Sequence, residues 1–282
     1  MAPFSGVKFS YEVSSEQWRT SNVQLDISDA PCGEGGMRYA FHAAELDNRV
    51  HSIASVVKVY KDMSRKAAAR ACFDESMTQM IADSYAQDFN RIAGRHKVAF
   101  LPVQVVELQR PFFGAKHVCL EPHMPGHFVK HSDNSGSVTT GADLPQAFSH
   151  YTYEASNRLL VVCDIQGQGV DFFTDPQIHS FDGEGFGLGN LGPRGIRRWR
   201  QTHRCNAICK LAKLPPLQDG ERRQSRPRET DKQLAERLQA EEYAQAGGHA
   251  KPPDAQMVMR RLLWDGRRYN DTISNAIRHL AL

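Results

Sequence analysis

Between Asp175 and Cys209 the chain gathers three groups of residues that could do chemistry: an acidic turn, Asp175-Pro176-Gln177-Ile178-His179, a loop with five glycines, and the cluster His203-x-Cys205-x3-Cys209. Glycine lets backbone N–H groups come close to an anion and cradle a phosphate. An acid beside such a loop can hold a hard cation or orient a hydroxyl for phosphoryl transfer. Just upstream, Asp164-Ile165-Gln166 follows the apolar run Leu159–Cys163, so an acid and an amide sit at a strand end as oxygen ligands. In Thr174-Asp175-Pro176 the proline disfavours right-handed helical geometry for Asp175 and predicts an extended turn. A plain turn-forming role for both acids is the competing reading.

Cys205 and Cys209 are four residues apart and would share a face if a helix carries both. Thiolates with an imidazole suit tetrahedral zinc. A fourth side chain would make the site structural, whereas a water would make it catalytic. Spacing leaves that fourth ligand open among twelve histidines, with two buried thiols and a surface histidine as the alternative. Cys72, Cys119 and Cys163 read as core-filling thiols rather than a disulfide framework.

Toward the N-terminus, Gly33-Glu34-Gly35-Gly36-Met37-Arg38 enters a strand and could approach phosphate, with Arg38 adding a charged fork; a plain glycine-rich turn competes. In Val56-Val57-Lys58-Val59-Tyr60 a lysine interrupts an apolar strand. It could pair with ATP phosphates, or face water on an edge strand. Gly187-Leu188-Gly189-Asn190-Leu191-Gly192 fits the dinucleotide-binding expression, but no strand leads directly into it and no βαβ unit surrounds it. It reads as a binding loop.

These residues need a scaffold. Strands are expected at Val7–Val13, Met37–Glu45, Ser52–Tyr60, Val98–Leu108, Lys116–Glu121 and Arg158–Asp164. Helices are expected from the Ser64 cap to Ile92, over Leu144–Ser156 and over Gly195–Leu214. That order predicts an α+β fold with an N-terminal β-sheet lobe and a more helical second lobe. Residues 1–217 form this domain; residues 218–282 read as a polar linker and a helical tail, with amphipathic stretches at Asp231–Ala244 and Gln256–Leu282. A net charge of +3 gives no footprint for nucleic acid. No apolar run is long enough to span a membrane, and no secretory signal opens the chain, so a cytoplasmic location is expected.

There is no Gly-x4-Gly-Lys-Ser/Thr, His-Arg-Asp or Asp-Phe-Gly, which excludes P-loop NTPases and ordinary protein kinases. Instead the chain resembles the atypical alpha-kinase family, in particular its elongation factor 2 kinase and myosin heavy chain kinase branches. The matching blocks, in family order, are Met37–Ala40, Val57-Lys58, Leu120–Pro122, Asn134–Gly136, Ala147–Glu154, Val162–Gly167, Thr174–His179, Gly189–Gly192 and His203–Cys209.

The resemblance implies a two-lobed kinase-like fold and transfer of the ATP γ-phosphate to a protein serine or threonine. It implies that Lys58 contacts the phosphates with Arg38 nearby, and that Glu121 lies at a hinge near adenine. Asp164, Gln166 and Asp175 would surround Mg²⁺, with Asp175 as the catalytic acid. His150 would join His203, Cys205 and Cys209 in a closed zinc site stabilising the second lobe. Gly187, Gly189, Asn190 and Gly192 would face the protein substrate. The spacer between Gln166 and Thr174 is one residue longer than the family pattern and holds a second acid, Asp171. Little chain precedes the domain and no calmodulin-binding segment is read there, so regulation is expected either elsewhere or in the tail, which could also dock a partner. The contrasting reading is a zinc-stabilised pseudokinase or binding module acting through that tail.

Overall fold

The computed structural model describes residues 2–46, 52–139, 141–169 and 172–217. The linker and tail, residues 218–282, and the second acid Asp171 lie outside them. Among the described residues no helix is long and apolar enough to cross a membrane.

The chain opens with strands β1 (Phe4–Glu12), β2 (Gln17–Ile27), β3 (Gly33–Glu34), β4 (Arg38–Leu46) and β5 (Ser52–Tyr60), then helix α1 (Arg65–Ile92). After these come β6 (Ala99–Phe100), β7 (Gln104–Phe112), β8 (Ala115–Pro122) and β9 (Phe128–Lys130), then α2 (Asp143–Ala155). The rest comprises β10 (Leu160–Cys163), β11 (Gln166–Gln168), β12 (Phe172–Thr174), β13 (Gln177–Ser180), a 3-10 turn at Gly187–Gly189, α3 (Gly192–Thr202) and α4 (Ala207–Leu211).

The first lobe is a seven-stranded sheet in the order β2-β1-β7-β8-β5-β4-β3. It closes on itself, because Leu25, Asp26 and Ile27 of β2 also pair with Glu45, Ala44 and Ala43 of β4. Alternation along the strands sends Leu25, Phe41, Val57, Val59, Leu108 and Leu120 to one enclosed core. The expectation missed β2 because its first half is polar and exposed. Only Val23, Leu25 and Ile27 carry the period-two signal.

The expected strand Val98–Leu108 is two strands. Pro102 has no N–H for a ladder, and Leu101 bonds instead to the carbonyl of Phe173 in the second lobe. Helix α1 begins as its sequence suggests: the Ser64 hydroxyl accepts from Ala67 N at 3.3 Å. It lies between the lobes, where Cys72, Phe73, Met77, Ile81 and Phe89 join Phe9, Val105 and Cys119 of the first lobe to Phe148, Phe173 and Ile178 of the second.

The single helix expected over Gly195–Leu214 is also two. Asn206 is extended, and its side chain accepts from Ile208 N and Cys209 N, starting a new helix at Ala207. Cys205 therefore lies in the connection, and the two cysteines approach through a turn rather than along a helix face. Phe41 is fully buried inside the closed sheet. Phe41→Ala should cost about 3–5 kcal/mol of stability in urea unfolding.

Candidate active site and metal cluster

The site forms where two ladders meet. Residues Leu160–Cys163 pair antiparallel with Gln177–Ser180, and Gln166–Gln168 pair with Phe172–Thr174. Asp164 and Asp175 sit in the two short gaps between those ladders, each just past the end of one of them: Asp164 follows Cys163 and Asp175 follows Thr174. Both are left-handed, with φ of 52° and 55°. The extended geometry expected for Asp175 is thus not what forms. Proline disfavours the right-handed helical region for Asp175, and aspartate tolerates the left-handed one better than most residues. Gly167 makes the junction possible, since a Cβ there would stand 2.1 Å from the carbonyl oxygen of Phe172.

Two cations from the first lobe converge on Asp175. Lys58 Nζ lies 2.7 Å from its Oδ1 and 2.8 Å from Glu121 Oε1. Arg38 Nη2 lies 3.1 Å from the same Asp175 oxygen, while its Nη1 pairs with Glu75 of α1. Tyr60 donates to Glu75 at 2.9 Å. Gln79, one turn along α1, accepts from Asp175 N at 2.8 Å. Gln166 Nε2 donates to the Asp175 carbonyl at 3.4 Å. Asp164 pairs with Lys130 of β9 at 2.7 Å.

Burial alone would raise the carboxyl of Asp175, but Arg38 and Lys58 outweigh it and hold the group well below the usual carboxylate range. Burial opposes the charge on Lys58, yet Asp175 and Glu121 keep it firmly protonated. Glu121 is raised, by burial first and by the nearby Asp175 charge, despite its contact with Lys58. The two carboxyls that share Lys58 are thus driven in opposite directions, Asp175 down and Glu121 up. Asp164 is raised by burial, which Lys130 offsets only in part.

The structure therefore brings Arg38, Lys58, Glu121, Gln166 and Asp175 into one cluster, with Asp164 at its edge. The Glu121 carboxylate turns inward to Lys58 and accepts from Thr174 Oγ1 at 2.8 Å. Sequence reasoning missed Glu75, Gln79 and Lys130. The signal for the first two was the polar run Asp74–Gln79 in the middle of a helix most of whose surroundings are apolar; most of that run is buried. Lys130, on a short exposed strand, left no signal.

The glycine loop is a 3-10 turn held on both sides. A Cβ on Gly187 would meet the Asp74 side chain of α1 at 3.2 Å, and one on Gly189 would overlap Gln177 of β13. Asn190 anchors it, accepting from Ser180 N and Gly192 N and donating to the carbonyls of Glu184 and Gly185. The strand before it runs antiparallel to its neighbour, so the dinucleotide reading finds no support here.

In the second lobe the candidate ligand atoms of His150, His203, Cys205 and Cys209 all lie within 4.8 Å of one another. Cys205 Sγ is 3.8 Å from His150 Nδ1, and Cys209 Sγ is 3.9 Å from His203 Nε2. With metal–sulfur bonds of about 2.3 Å and metal–nitrogen bonds of about 2.0 Å, tetrahedral ligands stand on the order of 3.5 Å apart, so the set fits zinc after a small contraction. Burial lowers His150 to about 4 and His203 to about 3, leaving the imidazoles neutral, the form that ligates metal. His203 Nδ1 faces Gln146 Oε1 at 3.4 Å, a contact that orients the ring.

A closed sheet lobe whose cations meet acids from a second lobe across a long helix has the layout of a kinase catalytic domain. The alpha-kinase family model matches residues 33–209. Myosin heavy chain kinase B of Dictyostelium discoideum is 36% identical over 214 residues, covering 75% of this chain and 29% of that protein. Eukaryotic elongation factor 2 kinase of Mus musculus is 35% identical over 218 residues, covering 73% of this chain and 29% of that one. A crystal structure of the alpha-kinase domain of myosin heavy chain kinase A complexed with AMP superposes with a TM-score of 0.70 at 33% identity, covering 76% of this chain and all of that one. The same domain complexed with AMP-PNP gives 0.69 at 33% identity, over 76% and 97%. The chain belongs to the alpha-kinase family, an atypical class of protein kinases. It spans less than a third of the length of the two full-length relatives named here.

Lys58→Met would leave two carboxylates buried beside one another with only Arg38 to balance Asp175. The expected loss is about 3–5 kcal/mol at neutral pH. Because the folded value of Asp175 is depressed, its stabilisation is present above the unfolded value of about 3.9 and fades as pH falls toward the folded value. Urea unfolding across pH should therefore show the gap between wild type and variant narrowing below about pH 4.

Proposed function

We propose that this chain transfers the γ-phosphoryl group of ATP to a serine or threonine hydroxyl of a protein. The observation that carries the reading is Asp175: one ionised carboxylate on which Lys58 and Arg38 converge, in a residue whose backbone N–H donates to Gln79. Phosphoryl transfer needs positioning and charge neutralisation more than covalent help. Lys58 and Arg38 supply positive charge to the phosphates. Asp175 accepts or directs the proton of the attacking hydroxyl. The backbone N–H to Gln79 keeps that carboxylate aimed.

Asp164, Gln166 and Asp175 offer hard oxygen donors that fit Mg²⁺. When bound, the ion would neutralise charge on the phosphates. His150, His203, Cys205 and Cys209 would hold zinc in a closed, structural role, joining α2 to the segment around α4.

The test is transfer of labelled phosphate from Mg-ATP to the chain itself and to a threonine-bearing peptide. Asp175→Asn keeps the shape and tolerates the left-handed backbone. It should reduce transfer by about 10²–10⁴-fold while the fold persists; near-normal turnover would overturn the assignment. Metal analysis should give about one zinc per chain. Cys209→Ala should release that zinc and lower the melting temperature.

A further inference from the structure

The small second-lobe sheet continues from the site onto an exposed aromatic shelf. Its strand order is β6-β12-β11-β9. One rung across it is Lys130–Gln166–Thr174, and the next rung on the same face is Phe128–Gln168–Phe172. The first rung touches the catalytic acids: Lys130 bonds Asp164, and Gln166 bonds the Asp175 carbonyl. The second rung is apolar and open, with Phe128 55% and Phe172 53% exposed. Between them Gln168 is half-buried against Gly126, where any Cβ would lie 2.0 Å from the Gln168 amide nitrogen. The two rings thus stand out on either side of a filled floor. An exposed apolar patch bordered by polar residues marks an interaction site.

We propose that this shelf docks the extended acceptor segment of the protein substrate and selects an apolar side chain two residues from the phosphorylated hydroxyl. This rests on the phosphotransfer reading above. The argument is one of spacing. Adjacent rungs on one face lie about 6.6 Å apart, which is also the separation of side chains two apart in an extended peptide. A hydroxyl presented at Asp175, beside the first rung, therefore places the side chain two residues away at Phe128 and Phe172. Continuity of the shelf with the catalytic rung favours this occupant over a second copy of the chain.

The experiment uses the full chain and fluorescein-labelled threonine peptides bearing Leu or Ser two residues before or two residues after the threonine. The expected result is that Leu at one of these positions improves kcat/KM by about ten- to a hundredfold over Ser. Phe128→Ser and Phe172→Ser should each remove most of that preference by raising the peptide KM, with the KM for ATP unchanged. Both residues are exposed, so melting temperatures should stay at the wild-type value. Fluorescence anisotropy reads peptide binding in parallel, so the shelf is tested even if no phosphate is transferred. Loss of transfer with Leu-selective binding intact would count against the phosphotransfer reading alone. Equal binding of Leu and Ser peptides, or a preference that survives both substitutions, would overturn the proposal. So would self-association of the chain that Phe128→Ser abolishes.

Discussion

The structure depends on one shared carboxylate. Asp175 draws Lys58 and Arg38 out of a closed β-sheet and toward the second lobe, and α1 backs the contact from behind through Glu75 and Gln79. Burying charges is costly, and a pair recovers that cost only where geometry is good and the remaining hydrogen-bonding positions are filled. Here they are largely filled. Lys58 has two carboxylates, Arg38 has two, and Glu121 also accepts from Thr174. In the proposed reaction, a phosphate entering beside Lys58 and Arg38 would offer them an anion in place of Asp175.

The positions of the two acids follow from the ladders rather than from any local preference. A left-handed aspartate is strained by on the order of 1–2 kcal/mol, and this junction carries two of them. They persist because the pairs Cys163–Gln177 and Gln166–Thr174 fix the chain on both sides. Gly167 permits the close crossing that brings these ladders together. Strain held by surrounding structure is typical where a functional group must point one way. The glycine loop obeys the same logic: its freedom at Gly187 and Gly189 is used for close contact with Asp74 and Gln177, not for flexibility.

Much of this was legible in the chain, for identifiable reasons. Lys58 stood out because a lysine between valines contradicts its strand, and a contradiction of that kind usually marks a partner elsewhere. Asp164, Gln166 and Asp175 were marked by a strand end and a proline. The thiols and His203 were marked by spacing, with His150 supplied only by resemblance. What stayed hidden shares a different character. Strand β2 forms because a closed sheet needs a strand between β1 and β4, a tertiary demand that overrides its polar first half. Gln79 and Glu75 lie far in sequence from the groups they hold, so no window could pair them. The break at Asn206 was written in a capping residue, yet the surrounding helical pattern masked it.

The two lobes also differ in what secures them. The first closes a sheet over an apolar core. In the second, β9, β11 and β12 have three residues each, α4 has five, and a separate apolar cluster gathers only Tyr153, Val161, Ile196 and Trp199, with Leu217 packed against it. Segments this short gain little from their own hydrogen bonds and must be fixed by tertiary contacts. The His and Cys cluster brings His150 in the middle of α2 beside His203 at the end of α3 and Cys209 of α4. A metal there would add its binding free energy to that of the apolar core that Phe148, Phe173, Ile178 and Ile208 share with α1. It would also hold α2 and α3 against the strands that carry Asp164 and Asp175, so that a structural ion far from the phosphates would still govern how precisely the acids are placed.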